Sequence, residues 1–264
     1  MNVRRLGRAV VVRAWAQQGR QVIGIPLAAA FGIVVLLLVL PQVMPGALHG
    51  TLTPPATGTV QILSPHVTAT QAAMATALIT APLLLGIGAS LISLSVSRSV
   101  LAPDVSSGVM ESLLATSLPP RALFLGYVAA AFSLSLLAWG ILAGGFLGLA
   151  LLVIGLTGDS VRVTGSYYVT TLLFPLVSLL WTASLISFIA FVRPAWLKVA
   201  AGLNGGPLRL GAILPGLVSV VVITADPDAY GVLSWSYIAG CAAAAALLLI
   251  TLSMIFDEQR LLDG

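Results

Sequence analysis

Charged side chains are scarce in this chain of 264 residues, because only 8% of them are Asp, Glu, Lys or Arg, whereas 59% are hydrophobic. Soluble domains carry roughly 25% charged residues, so the composition excludes a protein surrounded by water. The apolar runs are long and continuous, whereas a membrane β-barrel shows short segments of alternating polarity. The composition therefore predicts an all-α integral membrane protein, in which each helix satisfies its own backbone hydrogen bonds.

The residues that catalytic and energy-converting sites require are also missing. No Asp, Glu, Lys, Arg or His falls in the middle of an apolar run, which argues against an ion-coupled carrier. There is no channel-filter motif and no H-E-x-x-H, and the two histidines, His49 and His66, match no established metal site. The single cysteine, Cys241, excludes an intramolecular disulfide. We therefore predict that the chain is not an enzyme and holds no metal.

A nucleotide site is missing as well. The phosphate-binding motif G-x-x-x-x-G-K-[ST] needs a lysine after a glycine, and the only lysine, Lys198, follows a leucine. If the protein does work, its energy must come from another polypeptide.

The apolar runs predict six membrane spans. A span needs about 20 residues, and the candidate runs are residues 22–44, 68–96, 123–156, 166–192, 208–225 and 232–256. The third run is longer than a span requires, and the fifth is short and contains Pro215. Because no linker or internal repeat is visible, residues 1–264 are predicted to form a single transmembrane domain.

The basic residues predict the orientation. If the N-terminus lies inside the cell, eleven of the twelve basic residues fall in inner segments and only Arg162 lies outside. Inner loops are enriched in Lys and Arg. The pattern predicts a multi-pass protein of the plasma (inner) membrane with both termini in the cytoplasm.

Residues 1–21 contain five arginines and no acidic residue. The apolar residues that share one helical face are Val3, Leu6, Val10 and Ala14. A basic, partly amphipathic helix of this kind lies in the headgroup layer of the membrane. We predict an interfacial helix over residues 1–21; the alternative is that its arginines only set the orientation.

Residues 98–121 form the one sizeable polar interruption between apolar runs that has the features of a helix. Pro103 suits the first turn of a helix, and Pro119 and Pro120 prevent its continuation. The apolar arc of this helix comprises Val105, Val109, Met110, Leu113 and Leu114. We predict a short amphipathic helix that binds a partner, or else one that lies on lipid without a partner.

Residues 104–127, D-V-S-S-G-V-M-E-S-L-L-A-T-S-L-P-P-R-A-L-F-L-G-Y, resemble the signature of ABC type-two exporter permeases. The positions that match this signature are Asp104, Gly108, Glu111, Leu113, Leu114, Pro119, Arg121 and Gly126. Val109 stands where threonine is usual, and Tyr127 stands where lysine is usual. Six predicted spans and a basic first segment extend the resemblance along the chain.

The resemblance implies that residues 98–121 carry a cytoplasmic coupling helix, between spans two and three, which docks on a separate ABC ATPase subunit. The residues that it assigns to this interface are Asp104, Val105, Gly108, Val109, Glu111, Leu113, Leu114 and Arg121. ATP and Mg²⁺ would be bound by the ATPase and no cofactor by this chain, which would pair with a second permease copy or a paralogue. No nucleic-acid partner is expected.

The function implied by the resemblance is the export of a hydrophobic or amphipathic substrate, such as a drug, a natural product or a lipid-like molecule. The absence of charged residues from the middle of the predicted spans suits such a cargo better than a small ion. Two alternatives stay open: a non-conducting anchor or signal-transmitting subunit driven by the same ATPase, and an ion-coupled secondary transporter.

Three glycines in the third predicted span are spaced for close helix packing. Gly140, Gly144 and Gly148 recur every four residues, and small residues at this interval let two membrane helices approach closely. The sequence predicts a helix-packing face here, either between subunits or within the chain.

Overall fold

The computed structural model describes residues 3–43, 60–62, 69–114, 120–157, 161–163, 165–193, 210–214, 217 and 230–255. The long helices are α1 (Val3–Val43), α2 (Ala69–Ser106), α4 (Pro120–Thr157), α6 (Phe174–Val192) and α7 (Tyr230–Ile255). The short elements are β1 (Val60–Ile62), α3 (Val109–Leu114), β2 (Val161–Val163), α5 (Gly165–Tyr168) and a π-helical turn (Val169–Leu173). Residues 210–214 are also helical.

Three segments of the described helices are long and apolar enough to cross a membrane. They are Leu84–Ser106, Ala122–Leu156 and Thr171–Val192, and shorter apolar helices cover Val22–Val35 and Trp235–Thr251. Large apolar side chains such as Leu156 and Met254 are exposed on the outside of the bundle, as expected where lipid is the solvent. The predicted helical membrane class is confirmed at this level. Six spans stay a prediction, because most of the fifth, 208–225, lies outside the described residues.

The helices pack side by side, with α4 in contact with α1, α2 and α6. Helix α2 also packs against α6, and α6 against α7. Buried side chains form one cluster around Leu101 and Tyr127, and a second cluster around Trp139 and Phe146. The first cluster includes Tyr127, a member of the candidate functional site.

Helix α1 is continuous over 41 residues, which differs from the sequence expectation of a separate interfacial helix over 1–21. Gly24 and Pro26 do not end it, because a proline within a helix removes one backbone donor but can be bridged by the turns on either side. The predicted apolar face is nevertheless correct where the side chains are described, since Val10 and Ala14 are buried. The side chains of Val3 and Leu6 lie outside the described residues.

The predicted start of a helix at Pro103 is wrong, because α2 continues through Pro103 to Ser106. The carbonyl of Pro103 accepts hydrogen bonds from the Ser106 and Ser107 hydroxyls and from the Ser107 N–H. The chain then turns at Gly108, whose φ is 70°, and α3 begins at Val109. A residue with positive φ ends a helix in this way, and glycine adopts that φ without steric cost.

Replacing Gly108 with alanine should therefore destabilise the break between α2 and α3. A Cβ atom at positive φ costs roughly 1–2 kcal/mol, so we expect a loss of about 1 kcal/mol in unfolding free energy, measured in mixed micelles. Gly108→Asn should lose less, because asparagine tolerates this conformation. Gly140→Ala is the matched control, since an added Cβ meets nothing within 4 Å there. An equal effect of the two alanine variants would contradict the prediction.

A short antiparallel ribbon joins the segment between the first and second apolar runs to the segment between the third and fourth. Val60 pairs with Val163, Gln61 with Arg162 and Ile62 with Val161. Strand β1 precedes α2 and α3 follows it, so the ribbon and α3 lie at opposite ends of α2. This arrangement agrees with the predicted alternation of inner and outer segments.

The π-helical turn before α6 has a local cause. Pro175 lies at the start of α6 and cannot donate an N–H to the residue four positions earlier. Widening the preceding turn relieves the clash between the proline ring and that carbonyl.

Candidate functional site

A hydrogen-bonded group of three side chains joins α1, α2 and α4 at the end of the bundle where α2 finishes. Arg13 Nη1 donates to Asp104 Oδ1 and Arg13 Nη2 donates to Asp104 Oδ2, both at 2.5 Å. Tyr127 Oη donates to Asp104 Oδ2 at 2.6 Å. We call Arg13, Asp104 and Tyr127 the joint. The two-pronged contact between guanidinium and carboxylate is the strong form of an ion pair.

Most of the joint is shielded from the exterior. Asp104 is 2% exposed and Tyr127 is 1% exposed, whereas the side chain of Arg13 is 38% exposed. The hydrogen bonds from Arg13 to Asp104 raise the pKa of the guanidinium above its usual value, while burial acts in the opposite direction. A carboxylate with so little exposure needs a charged partner, and Arg13 is that partner.

Each member of the joint is placed by its own helix. Arg13 follows Val10 by three residues, so it lies on the buried face of α1 rather than with the exposed Arg8 and Arg20. Asp104 lies in the last turn of α2, where the helix dipole disfavours a negative charge and Arg13 offsets it. Tyr127 packs edge-on against Phe191 of α6, with ring centroids 6.2 Å apart.

The joint is a connection between three helices. Its carboxylate already accepts three hydrogen bonds, one from each of two guanidinium nitrogens and one from the tyrosine hydroxyl. Among the described residues no group of three or more His, Cys, Asp or Glu could hold a metal ion. These hydrogen bonds connect the last turn of α2 to the N-terminal parts of α1 and α4, a few residues before α3 begins.

The residues assigned by sequence to an ATPase interface do not all share one surface. Asp104 and Val105 are buried within the chain, so their predicted place on a partner-binding surface is wrong. Asp104 is hydrogen-bonded to Arg13, and Val105 packs in the same cluster as Leu101. Val109 is 37% exposed on α3. Leu113 is half-buried and packs against the cluster around Leu101.

The remaining assigned positions are described only by their backbone. Gly108 is the half-buried residue of positive φ between α2 and α3. Glu111 and Leu114 lie in α3 and Arg121 lies in α4, but their side chains lie outside the described residues. Their contacts with a partner stay a prediction.

The predicted glycine face of α4 does not pack within the described part of the chain. Gly140, Gly144 and Gly148 are exposed, and a Cβ atom added at any of them would meet nothing within 4 Å. The close approach is made instead by Gly145, where an added Cβ would lie 3.1 Å from the Cβ of Ala30. No described residue packs against these three glycines, so intrachain packing and subunit packing both stay predictions.

Sequence reasoning assigned no site role to Arg13 or Tyr127. One signal for Arg13 was available, because it is the arginine that falls on the apolar face defined by Val10 and Ala14. Tyr127 was visible only as a departure from lysine in the signature. No spacing in a single sequence reports that these two residues meet Asp104 across 91 and 23 positions.

The resemblance to exporter permeases depends on the residues of the signature and on the order of the predicted spans. The structure adds a short helix α3 between two long apolar helices, with Gly108 at the break. Membership of that family stays a prediction, since no family model, curated protein or solved structure matches the chain.

Proposed function

We propose that this chain is the membrane-spanning subunit of an ATP-driven ABC exporter of the type-two family, which moves a hydrophobic or amphipathic substrate out of the cytoplasm. ATP would be hydrolysed by a separate ABC ATPase, and a second copy or a paralogue would complete the permease. The proposal rests on α3, a six-residue helix that follows α2 and precedes α4. Its apolar side chain Val109 is partly exposed.

The contacts of α3 support a role in transmitting force. It begins one residue after the turn at Gly108 and packs against both α2 and α4. Because the joint binds the end of α2 to α1 and α4, a push on α3 would move three helices together. An isolated amphipathic helix resting on lipid would need no such bracing.

The exposed side chain of Val109 offers an anchor for a groove on the ATPase. Helix-in-groove recognition uses apolar anchors on one helical face. Because Val109 is 37% exposed, burying the rest of it contributes roughly a third of the 1.5–3 kcal/mol of a fully exposed valine. Substituting aspartate would remove this gain and place a charge in the groove, which is unfavourable.

We expect Val109→Asp to weaken ATPase binding at least tenfold without unfolding the bundle. The assay is co-purification and affinity measurement with a candidate ABC ATPase, which is to be sought by its G-x-x-x-x-G-K-[ST] motif in the reading frames that neighbour this chain. Ser106→Asp is the control, because Ser106 is exposed one residue before the turn and outside α3. Loss of affinity in both variants, or in neither, would refute the docking role of α3.

Transport is tested separately in inverted vesicles that contain the chain and the ATPase. ATP-dependent accumulation of an amphipathic dye, abolished by vanadate, is the expected result. ATPase stimulation without movement of any amphipathic dye would favour the non-conducting anchor, and dye flux driven by an ion gradient in the absence of ATP would favour the secondary transporter. Either result would overturn the export function.

A further inference from the structure

A cavity of about 240 Å³ opens between α1, α2 and α4, deeper in the bundle than the joint. Its lining residues are Val22, Ile25, Pro26, Leu91, Ile92, Ser95, Val96, Ser99 and Ala138. Val22 follows Arg13 by nine residues of the same helix, so the cavity begins about 14 Å from the joint along α1.

The cavity has a closed floor and an open mouth. Val22, Pro26, Val96 and Ala138 are buried. Three other lining residues form the open mouth of the cavity: Ile25 is 65% exposed and Leu91 is 36% exposed, and Ser95 is exposed as well. A molecule dissolved among lipid chains could therefore enter from the side of the bundle.

The polar groups at this cavity are mainly acceptors of hydrogen bonds. The Ser99 hydroxyl donates its proton to the Val96 carbonyl at 2.7 Å, so its lone pairs are what it offers to a ligand. Pro26 and Pro103 have no N–H, so the carbonyls of Val22 and Ser99, four residues earlier, lose their ordinary α-helical donors. Both carbonyls belong to lining residues, and a buried carbonyl without its usual donor favours a ligand that can donate a hydrogen bond.

We propose that this cavity binds a small, mostly apolar molecule that carries an uncharged O–H or N–H donor. None of the described residues that line it is a lysine, an arginine or acidic, so they offer no opposite charge to a carboxylate or phosphate. The cavity volume limits the size of the ligand. An apolar cavity of roughly 150 Å³ takes a benzene molecule, so a cavity of about 240 Å³ accepts a fused pair of rings. The assignment concerns the chain alone and requires neither the ATPase nor transport.

The test is saturable binding of 1-naphthol to the purified full chain in phosphatidylcholine nanodiscs, measured by equilibrium dialysis against nanodiscs without protein. The matched ligand is 1-methoxynaphthalene, which has the same rings and no donor. One hydrogen bond contributes about 0.5–1.5 kcal/mol, so we expect the methoxy compound to bind roughly threefold to tenfold more weakly.

Two substitutions at Ser95 separate filling of the cavity from loss of its hydroxyl. Ser95→Leu should weaken 1-naphthol binding more than tenfold, because the larger side chain occupies the mouth. Ser95→Ala should weaken it by a smaller factor. Ser133→Leu is the control, since Ser133 is exposed on α4 and does not line the cavity; it should change binding less than twofold.

Three results would overturn the proposal. Unchanged 1-naphthol affinity in Ser95→Leu would place the bound molecule elsewhere. Equal affinity for the two naphthalene compounds, together with an unchanged Ser95→Ala variant, would mean that the cavity accepts plain hydrocarbon such as a lipid chain. Non-saturable uptake equal to that of empty nanodiscs would mean that there is no site. None of these results bears on docking of α3 to an ATPase, so the two proposals fail independently.

Discussion

Replacing Arg13 with methionine should lower the unfolding free energy of the protein by about 3 kcal/mol, measured by equilibrium denaturation in mixed micelles. Removing one partner of a buried ion pair typically costs about 3–5 kcal/mol, because the other charge is left uncompensated. Here the stranded group is Asp104, which is 2% exposed. We expect the lower end of this range, since Arg13 itself is 38% exposed and water screens part of the interaction.

Variants of the whole joint provide a sharper comparison. Arg13→Met combined with Asp104→Leu should recover much of the loss, because replacing a buried ion pair with apolar side chains is often neutral. The hydroxyl of Tyr127 then lacks its acceptor, so adding Tyr127→Phe should recover about 1 kcal/mol more.

Arg8→Met is the control for Arg13→Met, since Arg8 is an exposed arginine of the same helix. We expect it to change the unfolding free energy by less than about 0.5 kcal/mol. If Arg13→Met proved as stable as Arg8→Met, the joint would not be a structural connection, and the route of force from α3 into α1 and α4 would lose its basis.

The second large effect is expected at Gly145, where α1 and α4 lie close together. An added Cβ would lie 3.1 Å from the Cβ of Ala30, which is fully buried. The complete side chain in Gly145→Leu must therefore force the two helices apart. Overpacking of this kind costs about 1–3 kcal/mol, and we expect a loss near the upper value in the same denaturation assay.

Gly144→Leu is the matched control for Gly145→Leu. It introduces the same side chain one residue earlier, at a position where nothing lies within 4 Å of an added Cβ. Its unfolding free energy should be unchanged or slightly higher, because leucine is a better helix former than glycine. Equal losses in the two variants would contradict the packing of α1 on α4. The oligomeric mass of Gly144→Leu also tests whether the glycine face contacts a second copy.

The limits of sequence reasoning are clearest in residues 98–121. The apolar pattern and the prolines predicted a helix between two spans, and the structure contains α3 within that segment. The predicted start at Pro103 was wrong, since α2 continues to Ser106. A proline inside a helix costs roughly 3 kcal/mol, and here the contacts of Leu101 and Val105 with other helices outweigh that cost.

The wrong placement of Asp104 has the same origin. A helical wheel sorts residues by face but does not say which face meets another helix of the same chain. An acidic residue in a polar segment was therefore read as surface, whereas its partners come from α1 and α4.

Composition and the length of the apolar runs were sufficient for the helical membrane class, because backbone groups in lipid must be satisfied within each segment whatever the packing. The buried face of α1 at Val10 and Ala14 followed from periodicity for a similarly local reason. The joint, the close approach at Gly145 and the cavity beside Pro26 depend on how α1, α2 and α4 lie against one another. Those contacts join residues far apart in the chain, and their energies depend on distances that no local pattern encodes.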